Sequence, residues 1–342
     1  MNNYKKIGLT ALAGSLAMVS ANAVEYTMSG GLMSVYTTQD NPAAAEAING
    51  KGLTTATDLT FNASGELDNG FTVSYMMALD TDTAVSNTSS QLTVGMGSLG
   101  TLQVNNKGGS AANAIDDVTP HAYNETWDGL STVNPSTFGS RTSSGSLDYR
   151  IPAQELMGLT INASVTLDPN AGVTSATKGD VSATTVKGTA YTASIAHGSG
   201  LTIGGGVEQV DDDSGLLLAS GTEEVTGYAK YSMGGFSAAY QEAYTNTVNG
   251  TGTTNEGADV ETSFWGMAYT AGDFTVSYAE STSQTSAVSD TAQTLESELD
   301  SLQIAYVVGA MTISGAMSET ANPAGTTTVG TYEENTLAVT FA

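Results

Sequence analysis

Two features together constrain this chain most: polar and apolar side chains alternate at short period, and no long apolar run occurs after the first 23 residues. From residue 24 on, the chain falls into alternating stretches of about ten residues, and no run there approaches the roughly 20 apolar residues of a membrane helix. A period of two gives each stretch one apolar and one polar face when it is extended as a β-strand. Phe71, Val73, Tyr75 and Met77 share a face against Thr72 and Ser74, and Phe274, Val276 and Tyr278 oppose Thr275 and Ser277. Phe236, Ala238 and Tyr240 form a third set, and Leu302, Ile304, Tyr306 and Val308 a fourth. A soluble sandwich would bury such faces against a second sheet, whereas a closed barrel in a bilayer turns them outward.

The punctuation favours the barrel. Sixteen strands are predicted, over 24–37, 54–68, 70–82, 88–97, 100–107, 143–151, 158–168, 188–198, 201–210, 222–233, 235–246, 259–271, 273–283, 297–309, 311–319 and 331–341. Tight turns such as Asn69-Gly70, Gly234-Gly235 and Gly272-Asp273 supply the positive φ that hairpins require. They alternate with long polar connections, the longest being 108–142. One rim of short turns and one of long loops is the pattern of an outer-membrane barrel, and a solenoid would instead show a fixed repeat. Aromatics near strand ends, among them Tyr26, Tyr36, Tyr244, Phe274 and Phe341, suit interfacial girdles.

The beginning of the chain agrees. Lys5 and Lys6, an apolar run from Ile7 to Val19 and Ala21-Asn22-Ala23 read as a cleavable secretory leader over 1–23, with the barrel domain over 24–342. There is no cysteine, so neither a disulfide framework nor thiolate chemistry is available. The chain carries 35 acidic against 9 basic residues, and losing Lys5 and Lys6 takes the net charge from −26 to about −28. No basic patch exists to meet phosphates, which excludes nucleic acid as a partner.

Enzyme chemistry finds no support. His121 and His197 are far apart in sequence, and no metal-binding His pair, phosphate loop or nucleophile elbow is present. Gly204-Gly205-Gly206 reads as a bend or a place of close packing. Asp211, Asp212 and Asp213 form the densest acidic run, predicted in an outer loop. These are weak candidates for Ca²⁺ or Mg²⁺ bridging to anionic lipopolysaccharide, since adjacent carboxylates supply hard oxygen ligands. No cofactor is otherwise expected.

Gly95-Met-Gly-Ser-Leu-Gly-Thr-Leu-Gln103 and Arg141-Thr-Ser-Ser-Gly-Ser-Leu-Asp-Tyr-Arg-Ile-Pro152 resemble the segments that precede and follow the third loop in the trimeric general porins of Gram-negative bacteria, specifically the alphaproteobacterial type. Gly145 stands where that family usually has Asn, and Ala342 follows the near-terminal Phe341 that resembles the signal read by barrel-assembly machinery. The resemblance implies an all-β transmembrane barrel of sixteen antiparallel strands in the outer membrane, assembled as a homotrimer. Its third long loop, here about 108–142, would fold into the pore.

On that reading Asp116, Asp117, Glu125 and Asp128 would make an acidic constriction, with Tyr123 and Trp127 as anchors to the wall or to a neighbouring subunit. Porins commonly oppose the loop with basic wall residues. The candidates here are Lys107, Arg141 and Arg150, while Lys51, Lys178 and Lys187 are expected in outer loops. The expected function is passive diffusion of small hydrophilic solutes and ions with a preference for cations. The alternatives are a porin selective for one solute class and a closed structural or adhesive barrel.

Overall fold

The structure, a computed structural model, describes residues 24–40, 50–80, 85–126, 137–169, 186–212, 221–248, 259–286, 296–323 and 331–341. The expected leader lies outside them. The alternating stretches pair into β1 (Glu25–Asp40), β2 (Gly50–Glu66), β3 (Thr72–Asp80), β4 (Ser86–Gly95), β5 (Thr101–Asn106), β6 (Ser146–Arg150), β7 (Gln154–Leu156), β8 (Leu159–Asp168) and β9 (Val186–His197). They continue as β10 (Leu201–Asp212), β11 (Gly221–Met233), β12 (Phe236–Val248), β13 (Asp259–Ala271), β14 (Phe274–Ser286), β15 (Ser297–Val308), β16 (Met311–Ala321) and β17 (Tyr332–Phe341). All neighbours run antiparallel, and β17 closes the ring on β1 from Leu32↔Phe341 to Asp40↔Glu333. Because β6 and β7 both pair with β8, they are two halves of one stave, and the barrel has sixteen staves. Closure leaves no sheet edge, so the ladder satisfies the backbone groups that lipid could not.

Register divides the faces as the alternation predicted. Tyr240, Tyr269, Ile304 and Leu337 are exposed outward, while Gln241, Thr262, Ser301 and Ala338 alternate with them on the inner face and are buried. The interior is therefore mostly polar: Asn105, Asp148, Thr166, Glu208 and Gln241 are fully buried, against a small apolar cluster of Ala112, Phe138 and Ala190. A row of aromatics follows the tight-turn rim through the pairs Phe236↔Tyr269 and Phe274↔Tyr306, and Phe341 ends β17 beside Met311.

Three expectations are corrected. The stave at 143–151 resumes as β7 after Pro152, which has no N–H for the ladder, and then turns tightly at Met157 and Gly158, whose φ angles are 53° and 82°. Asp211 and Asp212 lie at the end of β10 instead of in a loop, with Asp211 opposite Lys187 of β9 in the register; Asp213 falls outside the described residues. Lys51 likewise lies in β2, opposite Thr38, and Lys187 in β9. The ladder continues past the point where lipid enforces a contrast between the faces, so its outer ends read as loop in the sequence.

Candidate pore constriction

The long connection between β5 and β6 turns inward at its root. Lys107, Gly108 and Gly109 have φ angles of 58°, 97° and 91°, a run of left-handed residues that glycine adopts without strain. The neck is closed where Gly108 N donates to Ser143 O at 2.9 Å and Gly145 N to Asn105 O at 2.9 Å. Buried Asp148 on β6 fixes the first turn. Its Oδ2 accepts from Ala111 N at 2.8 Å and from Arg150 Nη2 at 2.9 Å, and its Oδ1 from Thr166 Oγ1 at 2.6 Å. A charged acceptor makes each of these bonds stronger than a neutral one.

Inward-facing side chains then hold the loop around the inside of the wall. Gln241 on β12 accepts from Val118 N at 2.9 Å through Oε1, and through Nε2 it donates to Ile115 O at 2.8 Å. Ser277 on β14 accepts from Ala122 N at 2.8 Å. Gln303 on β15 repeats the first pattern, accepting from Tyr123 N at 2.8 Å and donating to Asn124 O at 2.7 Å. Tyr123 Oη reaches Met33 Sδ of β1 at 3.7 Å. The returning limb packs Phe138 over Gly206 of β10, where a Cβ would stand 2.6 Å from the ring. The three glycines at 204–206 are thus a place of close packing.

The expected carboxylates lie along this loop. Asp116 and Asp117 are adjacent and half-buried. Asp116 accepts from Asn113 Nδ2 at 3.3 Å and Asp117 N at 2.9 Å, and Asp117 Oδ1 from Thr119 N at 2.7 Å. Glu125 is half-buried just beyond the Gln303 attachment, while Trp127 and Asp128 fall outside the described residues. Of the expected basic residues, Lys107 Nζ donates to Asn87 O at 2.6 Å at the root of the loop. Arg141, on the returning limb, pairs with Glu224 of β11 at 3.1 Å, and Arg150 pairs with Asp148.

In a ring of sixteen staves the strand eight positions on is diametrically opposite. Strands β2 and β3 therefore face β11 and β12, where the segment bearing Asp116 and Asp117 is fastened. Asp58 of β2 and Asp80 of β3 are register partners on the inner face of that opposite wall. Among the described inward positions of β1 to β4, β16 and β17 there is no Lys or Arg. Lys230 of β11 does face inward, two residues along from Tyr228.

Sequence reasoning did not anticipate Gln241 and Gln303 as anchors or Asp58 and Asp80 as wall carboxylates. Polar residues on the inner parity of long strands are the signal that could have found them.

The family model described as Gram-negative porin matches residues 8–307. No curated protein sequence matches the chain. Among solved structures it is similar to an anion-selective porin from Comamonas acidovorans, at 12% identity over 93% of this chain and 99% of that one, with a TM-score of 0.64. OmpF of Salmonella typhi matches at 12% identity over 94% and 99%, with a TM-score of 0.65. The trimer form of OmpT from Vibrio cholerae matches at 8% identity over 92% and 99%, with a TM-score of 0.61. With its closed barrel and inward third loop, the chain belongs to the Gram-negative porin family and is a protein of the outer membrane.

Proposed function

We propose that this porin is a passive diffusion channel that prefers cations. The observation that carries the reading is the excess of carboxylates facing the lumen: Asp116 and Asp117 are on the loop and Asp58 and Asp80 on the wall opposite, that wall has no described inward Lys or Arg, and Lys230 of β11 faces inward on the loop's side. Arg141 and Arg150 are each matched by a wall carboxylate. Low-dielectric walls focus the field of this net negative charge, which concentrates cations and repels anions. Passive diffusion needs neither a catalytic group nor a cofactor.

The channel works as a homotrimer in this proposal. The trimer form of OmpT supports the reading. So does the low wall at β5 and β6, six and five residues long, where the apolar side chains of Val104 and Leu147 are exposed outward. A neighbouring subunit would cover that wall. Lipopolysaccharide around the rim and the assembly machinery acting on the β17 end complete the proposed partners.

Reversal potential in a KCl gradient across a planar bilayer tests the selectivity. The expected sign is cation-selective, weakening in Asp58→Asn/Asp80→Asn and at high salt as screening shortens the reach of the charges. An anion-selective sign, or inserted protein that never conducts, overturns the proposal.

A further inference from the structure

Behind the ascending limb of the loop lies a cavity of about 230 Å³ whose two sides differ in chemistry. The wall side is built from inward residues in register on successive strands. Arg150, Ser164 and Thr192 form one row across β6, β8 and β9, and Asn162, Ser194 and Tyr228 form the next across β8, β9 and β11. Strand β10 contributes only Gly204 between Ser194 and Tyr228. A Cβ there would stand 2.5 Å from Tyr228 Oη, so the glycine leaves room for the phenol to lie across the strand. The loop side is apolar, made by Ala111, Ala114 and Ile115.

The charges in this slot cancel. Arg150 Nη2 lies 2.9 Å from Asp148 Oδ2, so the guanidinium adds donors without net charge. An anion would gain little against the neighbouring carboxylate, and a cation would meet the guanidinium. A neutral molecule carrying several hydroxyls and a C–H face suits both sides: hydroxyls toward the serine, threonine, asparagine and tyrosine groups, carbon face toward the alanines and Ile115. We infer that this slot is a binding subsite for small neutral polyhydroxylated solutes, of the monosaccharide and polyol class, beside the path through the pore. The inference rests on the channel reading only in that the solute reaches the slot through the lumen.

Saturation-transfer NMR on the purified full-length protein in detergent, with D-glucose and sorbitol as probes, reads binding without any current. Gluconate and glucosamine serve as charged counterparts, and conductance is measured on the same preparation. Saturable binding of glucose and sorbitol is expected. Asn162→Leu and Ser194→Leu should each weaken it about tenfold or more, because a lost partner leaves polar groups unpaired. Thr27→Leu, on the inner face of β1, should leave it unchanged. Heat-modifiable migration on gels confirms that each variant is folded, and Thr192→Val offers a milder third change.

Conducting channels that bind neither glucose nor sorbitol saturably would overturn the inference. So would tighter binding of gluconate or glucosamine, or equal binding in wild type and the slot variants. Protein that binds glucose but never conducts would support the slot and sink the channel reading.

Discussion

Gln241 and Gln303 show how much of the pore depends on single side chains. A primary amide presents a donor and an acceptor together, so each glutamine meets a loop N–H and a loop carbonyl as a neighbouring strand would. Replacing either with Leu removes both bonds at once and leaves half-buried loop groups unpaired, at a cost below the ~1–3 kcal/mol of a fully buried group. Gln241→Leu and Gln303→Leu are therefore expected to increase open-channel current noise and the rate of proteolysis within the loop, while heat-modifiable folding is retained. Unchanged noise and unchanged cleavage in both variants would show that the loop is held by other means. These roles were not legible in the sequence, because an inward glutamine on a strand looks the same whether it faces water or a loop. The loop carboxylates were legible as residues, but not the use of Asp116 and Asp117 in folding the loop on itself.

At the scale of the strand, the outer ends carry a second pattern. Asp40, Glu333, Glu319, Asp300 and Glu280 are register partners in succession across β1, β17, β16, β15 and β14, all on the outward face. Like charges directly opposite in a sheet repel, and salt screens that repulsion within about 10 Å at 0.1 M ionic strength. The heat-dissociation temperature of the folded barrel is expected to rise with NaCl concentration. Asp300→Asn/Glu319→Gln should raise it at low salt and flatten its salt dependence; an unaltered dependence in that double variant would sink the argument. The sequence reading located most strands to within a few residues but ended β10 early and missed β7. In both places the hydrophobic alternation weakens while the hydrogen-bonded ladder goes on, through Asp211 and Asp212 in one case and past Pro152 in the other.

At the scale of the whole molecule, closure is the condition for existing in a bilayer. Strand β17 meets both β16 and β1, so removing 332–342 would leave two open edges facing lipid. That truncation is expected to abolish the heat-modifiable folded form altogether, and a truncated protein that still migrates as a folded barrel would contradict the closure argument. By itself the sequence determined the class of architecture, the number of staves and the parity of strands such as β3, β12, β14 and β15, because lipid on one side and water on the other impose a period of two that local composition records. Tertiary structure decided what the pore is. Which carboxylates face each other across the lumen depends on register and on position around the ring, as with Asp58 and Asp80 opposite the loop. So does the pairing of Arg141 with Glu224, which lie 83 positions apart in the chain. Such separations leave no trace in local alternation, since closing the ring is what brings the residues together.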